Sequence, residues 1–474
     1  MKGATTVASS PAGTSAASVE TVAGQLARFA LELRFAELPG TVRHEAGRSL
    51  VNVIGCMLGG AHHAIIDIAV RGLVPHAGAT VATLVGRAER ADIFTATLLN
   101  TMAASVLTFD DTHAEALVHP SAPVAAALLA LGEVQGVSGR DFMAAFVVGV
   151  EAMCRLSKAL SVAPAVGRLN WAQSSVVGPV GVALAAGTLL GCDMDQLVAA
   201  QGIAVTQASG LRCGSGTMCT SYAPGAAAQS GLRAALLAHA GMIGPAAGIE
   251  GKDGLFEIFA TQAHTAAAVD GLGVHFELLA NTYKPYPCGA VIFPAIDAAL
   301  EIAARPGFDV SAVVRICLAQ HVRAHALTNR PQPRTTYEAQ VSSQHWVAAA
   351  LLSGQAGVAQ VSVACIDDPR VAALRERIEL VIDERLGNSA AHLEVAMTDG
   401  TILQSHIEHC TGSTQRPVSD AQLATKFLQL AGEVLPAARA ANLLDRCASL
   451  GDSDALAALL PLLAGTAALR SMPS

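Results

Sequence analysis

Three consecutive runs, residues 174–191, 194–209 and 223–241, hold only two formally charged side chains between them, Asp195 and Arg233. Small and aliphatic residues fill the rest. A helix that is apolar all round has no stripe to offer water, so it belongs at the centre of a bundle of other helices. The surrounding helices are legible upstream. Residues 19–38 carry Val22, Leu26, Phe29, Ala30 and Leu33 on one stripe, and 42–60, 65–73, 91–107 and 123–134 follow with the same period. Over 139–160, Val147, Val150, Glu151 and Cys154 share one face. With 52% hydrophobic but only 4% aromatic residues, closely packed Ala-rich helices are favoured over a β-sandwich.

The uncharged run 171–192 invites a membrane reading, but Gln173, Ser174, Ser175, Pro179 and several glycines mark it as a core helix. Pro461 breaks the second candidate, 455–469. A formal charge of −8 and a pI near 6.0, with no Lys/Arg run, exclude a nucleic-acid surface. Ten scattered cysteines without a C-x-x-C pair, and no His cluster at zinc spacing, imply reduced thiols and no metal. Residues 1–18 lack an apolar core segment and read as a disordered tail of a soluble, cytoplasmic protein.

From about residue 273 the period changes. Pro285, Pro287, Pro294 and Pro306 punctuate the chain, and 313–319, 358–365 and 378–382 read as strands. Residues 392–397 and 402–407 bracket Thr398-Asp399-Gly400 as a hairpin, with helices over 290–304 and 342–353. After Pro417 helical spacing resumes over 421–434, 437–449 and 455–464. The organisation expected is mainly α: a helical domain over 19–272, an inserted α/β lid over 273–410, and C-terminal helices over 411–470 that complete the first domain.

Between two of the apolar helices lies a polar knot, Thr108-Phe-Asp-Asp-Thr-His-Ala-Glu-Ala-Leu-Val-His-Pro-Ser121. It could cap the helix that follows or line a pocket. Phe109-Asp-Asp-Thr112, His119-Pro-Ser121, Gly216-Thr-Met218, Lys284-Pro-Tyr-Pro-Cys288 and the helix from Ser342 to Gly354 occur in the order that resembles the MmgE/PrpD family. That family includes 2-methylcitrate dehydratase, cis-aconitate decarboxylase and iminodisuccinate epimerase. The resemblance spans about Val19 to Gln429. It implies a helical domain with an α/β lid, a homodimer, an active site in the cleft between the domains, and no cofactor.

Proton transfer next to a carboxylate makes an enolate-like anion, which needs cationic or N–H partners in a dry cleft. The resemblance implies His119 as general acid/base, Lys284 as the cation for a carboxylate, and Thr112 as a hydrogen-bonding group. Asp110 or Asp111 would orient an imidazole, whereas His113 reads as a solvated loop residue. Thr108, Gln173, Ser342 and His345 are further candidates for substrate contact, the last two at i, i+3 on one helix face. Arg212, Thr220 and Tyr222 belong to a stretch whose backbone N–H groups could surround an anion.

Several positions depart from the family pattern. Thr108 stands where decarboxylating or dehydrating relatives carry Asp, Ala172 and Ala223 where they carry His, and Thr220 where they carry Lys. Gly289 replaces Cys or His, and His345 replaces Tyr. A hydrogen bond to a charged group is worth about 1.5–3 kcal/mol, so two lost contacts would weaken carboxylate binding about 10² to 10⁴-fold. The expectation is therefore a cofactor-independent acid/base lyase on an unusual, less charged substrate. An isomerase, epimerase or cyclase would use the same first step. An inactive paralogue serving as a scaffold dimer, or a small-molecule carrier, is the alternative from another class.

Overall fold

The computed structural model describes residues 21–160, 171–452 and 456–465; the tail read over 1–18 lies outside them. Helix accounts for 59% of the structure, which makes the fold mainly α. The bundle is built from α1 (Val22–Glu32), α2 (Gly40–Gly60), α3 (Ala64–Leu73), α4 (Ile93–Val106), α5 (Ser121–Gln135), α6 (Gly139–Leu160), α7 (Gln173–Leu189), α8 (Met194–Val205), α9 (Cys219–His239) and the short α10 (Leu255–Phe259). Side chains that satisfy free N–H groups start several of them. Asp92 accepts from the N–H of Phe94 and Thr95 ahead of α4, and Asp193 forms a capping box with Gln196 ahead of α8.

The first of the three nearly uncharged runs sits at the centre, whereas the second and third each keep an exposed side. Helix α7 is wedged between α6 and α9 so closely that side chains are missing where backbones meet. A Cβ on Gly181 would lie 2.3 Å from Met153 Cγ, and one on Gly231 would lie 2.5 Å from the Pro179 carbonyl. Glu151, read from sequence as sharing an apolar face, is fully buried; it accepts from Arg155 Nε at 3.1 Å and from the Leu278 N–H at 2.9 Å. This internal pair ties residues 270–278 to α6, because Arg155 also donates to the Asp270 carbonyl at 2.9 Å. No single helix among the described residues is long and apolar enough to cross a membrane.

A two-stranded hairpin pairs β1 (Ala82–Thr83) with β2 (Arg90–Ala91). Residues distant in sequence form the second ladder, β3 (Asp111–His113) antiparallel to β4 (Asn281–Tyr283). Past β4 the chain enters a second core. There β5 (Val313–Gln320), β6 (Ile378–Ile382), β7 (Ala391–Met397) and β8 (Ile402–Ile407) form one sheet in the order β6-β5-β7-β8. Strand β5 is parallel to β6 and antiparallel to β7, and β7 and β8 make the expected hairpin. Alternate residues Ile316, Leu318, Leu393 and Val395 point inward, where α11 (Phe293–Ala303) and α14 (Ser343–Ser353) cover them with Ile296, Trp346 and Val347.

The short helices α12 (Val322–Thr328), α13 (Thr336–Gln340), α15 (Val363–Ile366) and α16 (Pro369–Arg375) link these layers. The strand read over 358–365 is not one: residues Val358–Val361 make a 3-10 turn, and Ser362 caps α15 by accepting from the Cys365 N–H. Six apolar residues out of eight, interrupted by Gln360 and Ser362, fit a short helix as well as a strand, and the local cap decides.

The helical core runs from Val22 to Tyr283 and resumes at Val418, while the lid core runs from Cys288 to Cys410. The passage into the lid thus lies at 284–287, later than the change of residue period at 273. Helices α17 (Asp420–Gly432), α18 (Ala437–Ala448) and α19 (Leu460–Leu463) return to the bundle, with Phe427 seated against Gly55 of α2. The outgoing and returning crossings touch. A Cβ on Gly412, whose φ is +84°, would lie 2.7 Å from Pro285 Cδ and 3.0 Å from the Tyr283 carbonyl oxygen. Replacing Gly412 by Ala should cost about 1–3 kcal/mol, since Ala is strained at this left-handed φ and its Cβ would press into Pro285. Chemical denaturation of that variant, read against wild type, measures it; unchanged stability would show that the crossings are not pressed together.

Candidate functional site

The β3–β4 ladder assembles the polar knot. Asp111 faces Tyr283, Thr112 faces Thr282 and His113 faces Asn281, so Lys284 arrives beside Asp110. Lys284 Nζ donates to Asp110 Oδ1 at 2.8 Å, and both side chains are 5% exposed. The same carboxylate oxygen lies 3.9 Å from His119 Nδ1. Burial works to raise the Asp110 pKa, but the Lys284 ammonium and the neighbouring His119 outweigh it and hold the carboxyl below its ordinary value. Asp110 is therefore an anion shared by one ammonium and one imidazole.

His119 is fixed by its surroundings. Its main-chain N–H donates to Ser174 Oγ at 2.9 Å, and its Nδ1 lies 2.6 Å from the Asp111 carbonyl. A carbonyl can only accept, so Nδ1 carries a proton and Nε2 holds the lone pair of the neutral ring. Thr112 Oγ1 sits 3.2 Å from the same Nδ1. The His119 side chain is 41% exposed, in contrast to the pair beside it. The ring thus offers a basic nitrogen at a surface while its other nitrogen is tethered.

Alternation along β3 sends the next residues elsewhere. Asp111 is fully buried beneath the strand, where its Oδ2 accepts from Ser121 Oγ at 2.5 Å and Asn281 Nδ2 at 2.6 Å. Burial raises its carboxyl above the ordinary value despite those bonds. Of the two aspartates read as orienting an imidazole, Asp111 meets His119 through its carbonyl, while its carboxyl anchors β4. His113, read as solvated, is fully buried and meets Glu277 Oε2 at 3.0 Å. Burial would raise Glu277 too, but His113 and Lys158 hold it down to about 2.

Thr108 lies at the entrance to this segment with φ of +52°, a conformation β-branched residues rarely adopt. Its hydroxyl donates to Gln340 Oε1 of the lid at 3.1 Å, so the strained residue spans the two domains. Phe109 points the other way, toward α2 and α17. There Lys426 Nζ donates to the Phe109 carbonyl at 2.6 Å, to the Lys284 carbonyl at 3.0 Å and to Asn52 Oδ1 at 2.8 Å.

A cleft of about 1280 Å³ separates bundle and lid, and Lys284, Phe109 and Lys426 lie in its wall with Pro285, Tyr286 and Arg416. Its lid side includes Asp297, which accepts from Tyr286 Oη at 2.5 Å and from the Thr411 N–H at 2.7 Å. His119 is not among the lining residues; it stands behind Asp110, which joins it to the cleft through Lys284. Among the described residues no cluster of His, Cys, Asp and Glu is placed to hold a metal ion.

The remaining sequence candidates are not brought to this point. His345 is fully buried inside the lid, with Nε2 donating to the Gln360 carbonyl at 2.6 Å and Nδ1 accepting from Arg375 at 3.2 Å. Both ring nitrogens are taken. Ser342 caps α14, accepting from the His345 N–H at 3.1 Å and donating to the Arg330 carbonyl at 2.6 Å. The two do not share a helix face as the spacing predicted, because Ser342 is the extended residue before α14, and both are buried in the lid interior. Arg212, Thr220 and Tyr222 lie on an exposed stretch, where Thr220 Oγ1 closes a turn onto the Gly214 carbonyl at 3.1 Å. Gln173 is buried at the start of α7, next to the Ser174 that holds His119.

Sequence reasoning missed Lys426, Ser174, Asn281 and Gln340. Lys426 carried one legible signal: it is a lone cation in the apolar run Leu423 to Leu430, on the stripe shared by Leu423, Phe427 and Leu430.

Residues 24–267 match the model of the MmgE/PrpD N-terminal domain and residues 286–450 that of the MmgE/PrpD C-terminal domain. A cis-aconitate decarboxylase-like protein, oryM, of Aspergillus oryzae is 26% identical over 472 residues, covering 94% of this chain and 97% of its own. The cis-aconitate decarboxylase of Aspergillus terreus is 26% identical over 472 residues, at 93% and 96% coverage. That of Mus musculus is 27% identical over 387 residues, covering 78% of each chain.

Two predictions follow from the geometry. Lys284→Met leaves the Asp110 carboxylate buried without its cation and should destabilise the fold by about 3–5 kcal/mol, much of it recovered in Lys284→Met/Asp110→Asn. Denaturant unfolding of the single and double variants measures this; strictly additive losses would refute the pairing. His345 is held down to about 4, first by burial and then by Arg375, against the raising effect of the Gln360 carbonyl. Unfolding lets it bind a proton between pH 4 and about 6.5, so its share of stability is present above that window and drains away as pH falls through it. His345→Gln should flatten the pH dependence of the unfolding midpoint over this range; a slope equal to that of wild type contradicts the buried neutral ring.

Proposed function

Because the chain belongs to the MmgE/PrpD family, we propose that it is a lyase that moves protons by His119 on a carboxylate substrate, with decarboxylation as its reaction. The relatives named as cis-aconitate decarboxylases support that reaction type. The single observation that carries the residue roles is the shared oxygen of Asp110, 2.8 Å from the Lys284 ammonium and 3.9 Å from the His119 ring.

The chemistry is that of a β,γ-unsaturated acid. The bond between the carboxyl carbon and its neighbour breaks, the carboxylate leaves as CO₂, and the electron pair shifts through the double bond to the far carbon. That carbon takes a proton. Neutral His119, with its proton on Nδ1, must first be protonated at Nε2, and the Asp110 carboxylate stabilises the resulting imidazolium. Tethering to the Asp111 carbonyl keeps Nε2 aimed outward throughout. Lys284 holds a substrate carboxylate through hydrogens not used by Asp110, in a setting nearly free of water.

The pairing of Lys284 with Asp110 leaves this part of the site close to neutral, which supports a substrate with fewer carboxylates than cis-aconitate. Isomerisation would use the same proton transfer without loss of CO₂. The active form in this reading is a homodimer, supported by the apolar exposure of Leu211 (65%), Met218 (54%) and Tyr222 (50%) near one end of α9.

The purified protein should release CO₂ from cis-aconitate or from a dicarboxylated β,γ-unsaturated analogue, and more efficiently from the analogue. His119→Gln should lower kcat by at least about 10³-fold while the melting temperature stays within a few degrees of wild type. Turnover at the wild-type rate in that variant would remove His119 from the mechanism.

A further inference from the structure

Lys426 has no part in the proton transfer just described, yet it is among the most constrained side chains around the site. It lies on α17, is 7% exposed, and faces the same cleft as Lys284. An ammonium has three hydrogens, and here each has an acceptor: Asn52 Oδ1 on α2, the Phe109 carbonyl and the Lys284 carbonyl. The Phe109 ring adds a π face 3.8 Å from Nζ. With every donor occupied, Lys426 has none left for a ligand.

Its acceptors are not scattered. Phe109 immediately precedes Asp110, and the second carbonyl belongs to Lys284 itself. The two residues of the ion pair are thus held from behind, through their main chain, by one side chain arriving from the C-terminal helices. Lys284 is also the first residue of the passage from β4 into the lid, and Asn52 ties the same ammonium to the bundle.

We propose that Lys426 is a positioning residue, gripping the main chain on both sides of the Asp110–Lys284 pair and so setting that pair's geometry toward His119. For activity this rests on the roles given above to His119 and Lys284; for geometry it does not. Burial pulls the Lys426 ammonium down to about 8. The charged or titratable groups facing it are Cys56 from α2, Lys284 from the lid passage, and Asp110 and Asp111 from the knot. Above that pH the amine keeps two hydrogens for three acceptors, and the grip loosens.

The test compares Lys426→Met and Lys426→Arg with wild type, each well below its own melting temperature. An amine-acylating reagent followed by peptide mass spectrometry reads the labelling rate of Lys284, with the exposed Lys252 as internal control. Lys284 should label slowly in wild type and at least tenfold faster in Lys426→Met, with Lys252 unchanged; Lys426→Arg should be intermediate. With cis-aconitate or its analogue, Lys426→Met should lose kcat with little change in KM, and the alkaline limb of wild-type kcat near pH 8 should disappear. Unchanged Lys284 labelling in folded Lys426→Met overturns the proposal whether or not the chain turns over substrate. A wild type inactive on both acids counts against the proposed function alone. If Lys426→Met does not fold, Asn52→Leu removes one of the three acceptors and carries the same labelling test, in which an unchanged Lys284 rate again overturns the proposal.

Discussion

The ladder between β3 and β4 is only three residues on each side, yet the site exists because of it. It joins segments about 170 residues apart and brings the polar knot against the point where the chain leaves the bundle. Register is everything here, since a slip of one residue would exchange the faces of Asp110 and Asp111. Asp110 would then face the core partners Ser121 and Asn281, and the contact of its carboxylate with both Lys284 and His119 would be lost. The fully buried Asp111 guards against that slip, because its carboxyl finds donors only in the observed register.

Charge is scarce in this chain, and most of what is buried is paired. Asp110 with Lys284, and Glu277 with His113 and Lys158, sit at joints between elements distant in sequence. Buried pairs contribute little net stability, because desolvation offsets most of their attraction. What they supply is registration: each breaks unless two particular surfaces meet. Against a core of Ala, Val and Leu that could pack in several ways, such pairs select one arrangement.

The domain boundary is organised the same way. Both crossings between bundle and lid pass through one small region, where Gly412 lies against Pro285 and Lys426 holds the Lys284 carbonyl. Thr108, strained and bonded to Gln340 of the lid, adds a third tie. The groups with the clearest chemical capacity are thus concentrated where relative movement of the two domains would be felt first. His119 alone is turned toward solvent, tethered by one nitrogen and presenting the other.

Periodicity was enough to recognise the bundle, its uncharged central helix, the hairpin at Thr398-Asp399-Gly400 and the return of helix after Pro417, because each depends on neighbours within a few residues. The order of short motifs was enough for the family. It also picked out Asp110, Thr112, His119 and Lys284, which the ladder brings together. Local pattern failed where the partner was remote. His345 lies on α14 and Ser342 caps it, but only the packing of the lid reveals that both are turned inward. The run 358–365 has strand composition and takes helical turns because Ser362 caps it. Lys426 could not be assigned from its own surroundings, since its three acceptors come from residues 52, 109 and 284. Side-chain spacing along one element is written in the chain; which element it will face is settled by burial and hydrogen bonding across hundreds of residues, and only the folded arrangement expresses that.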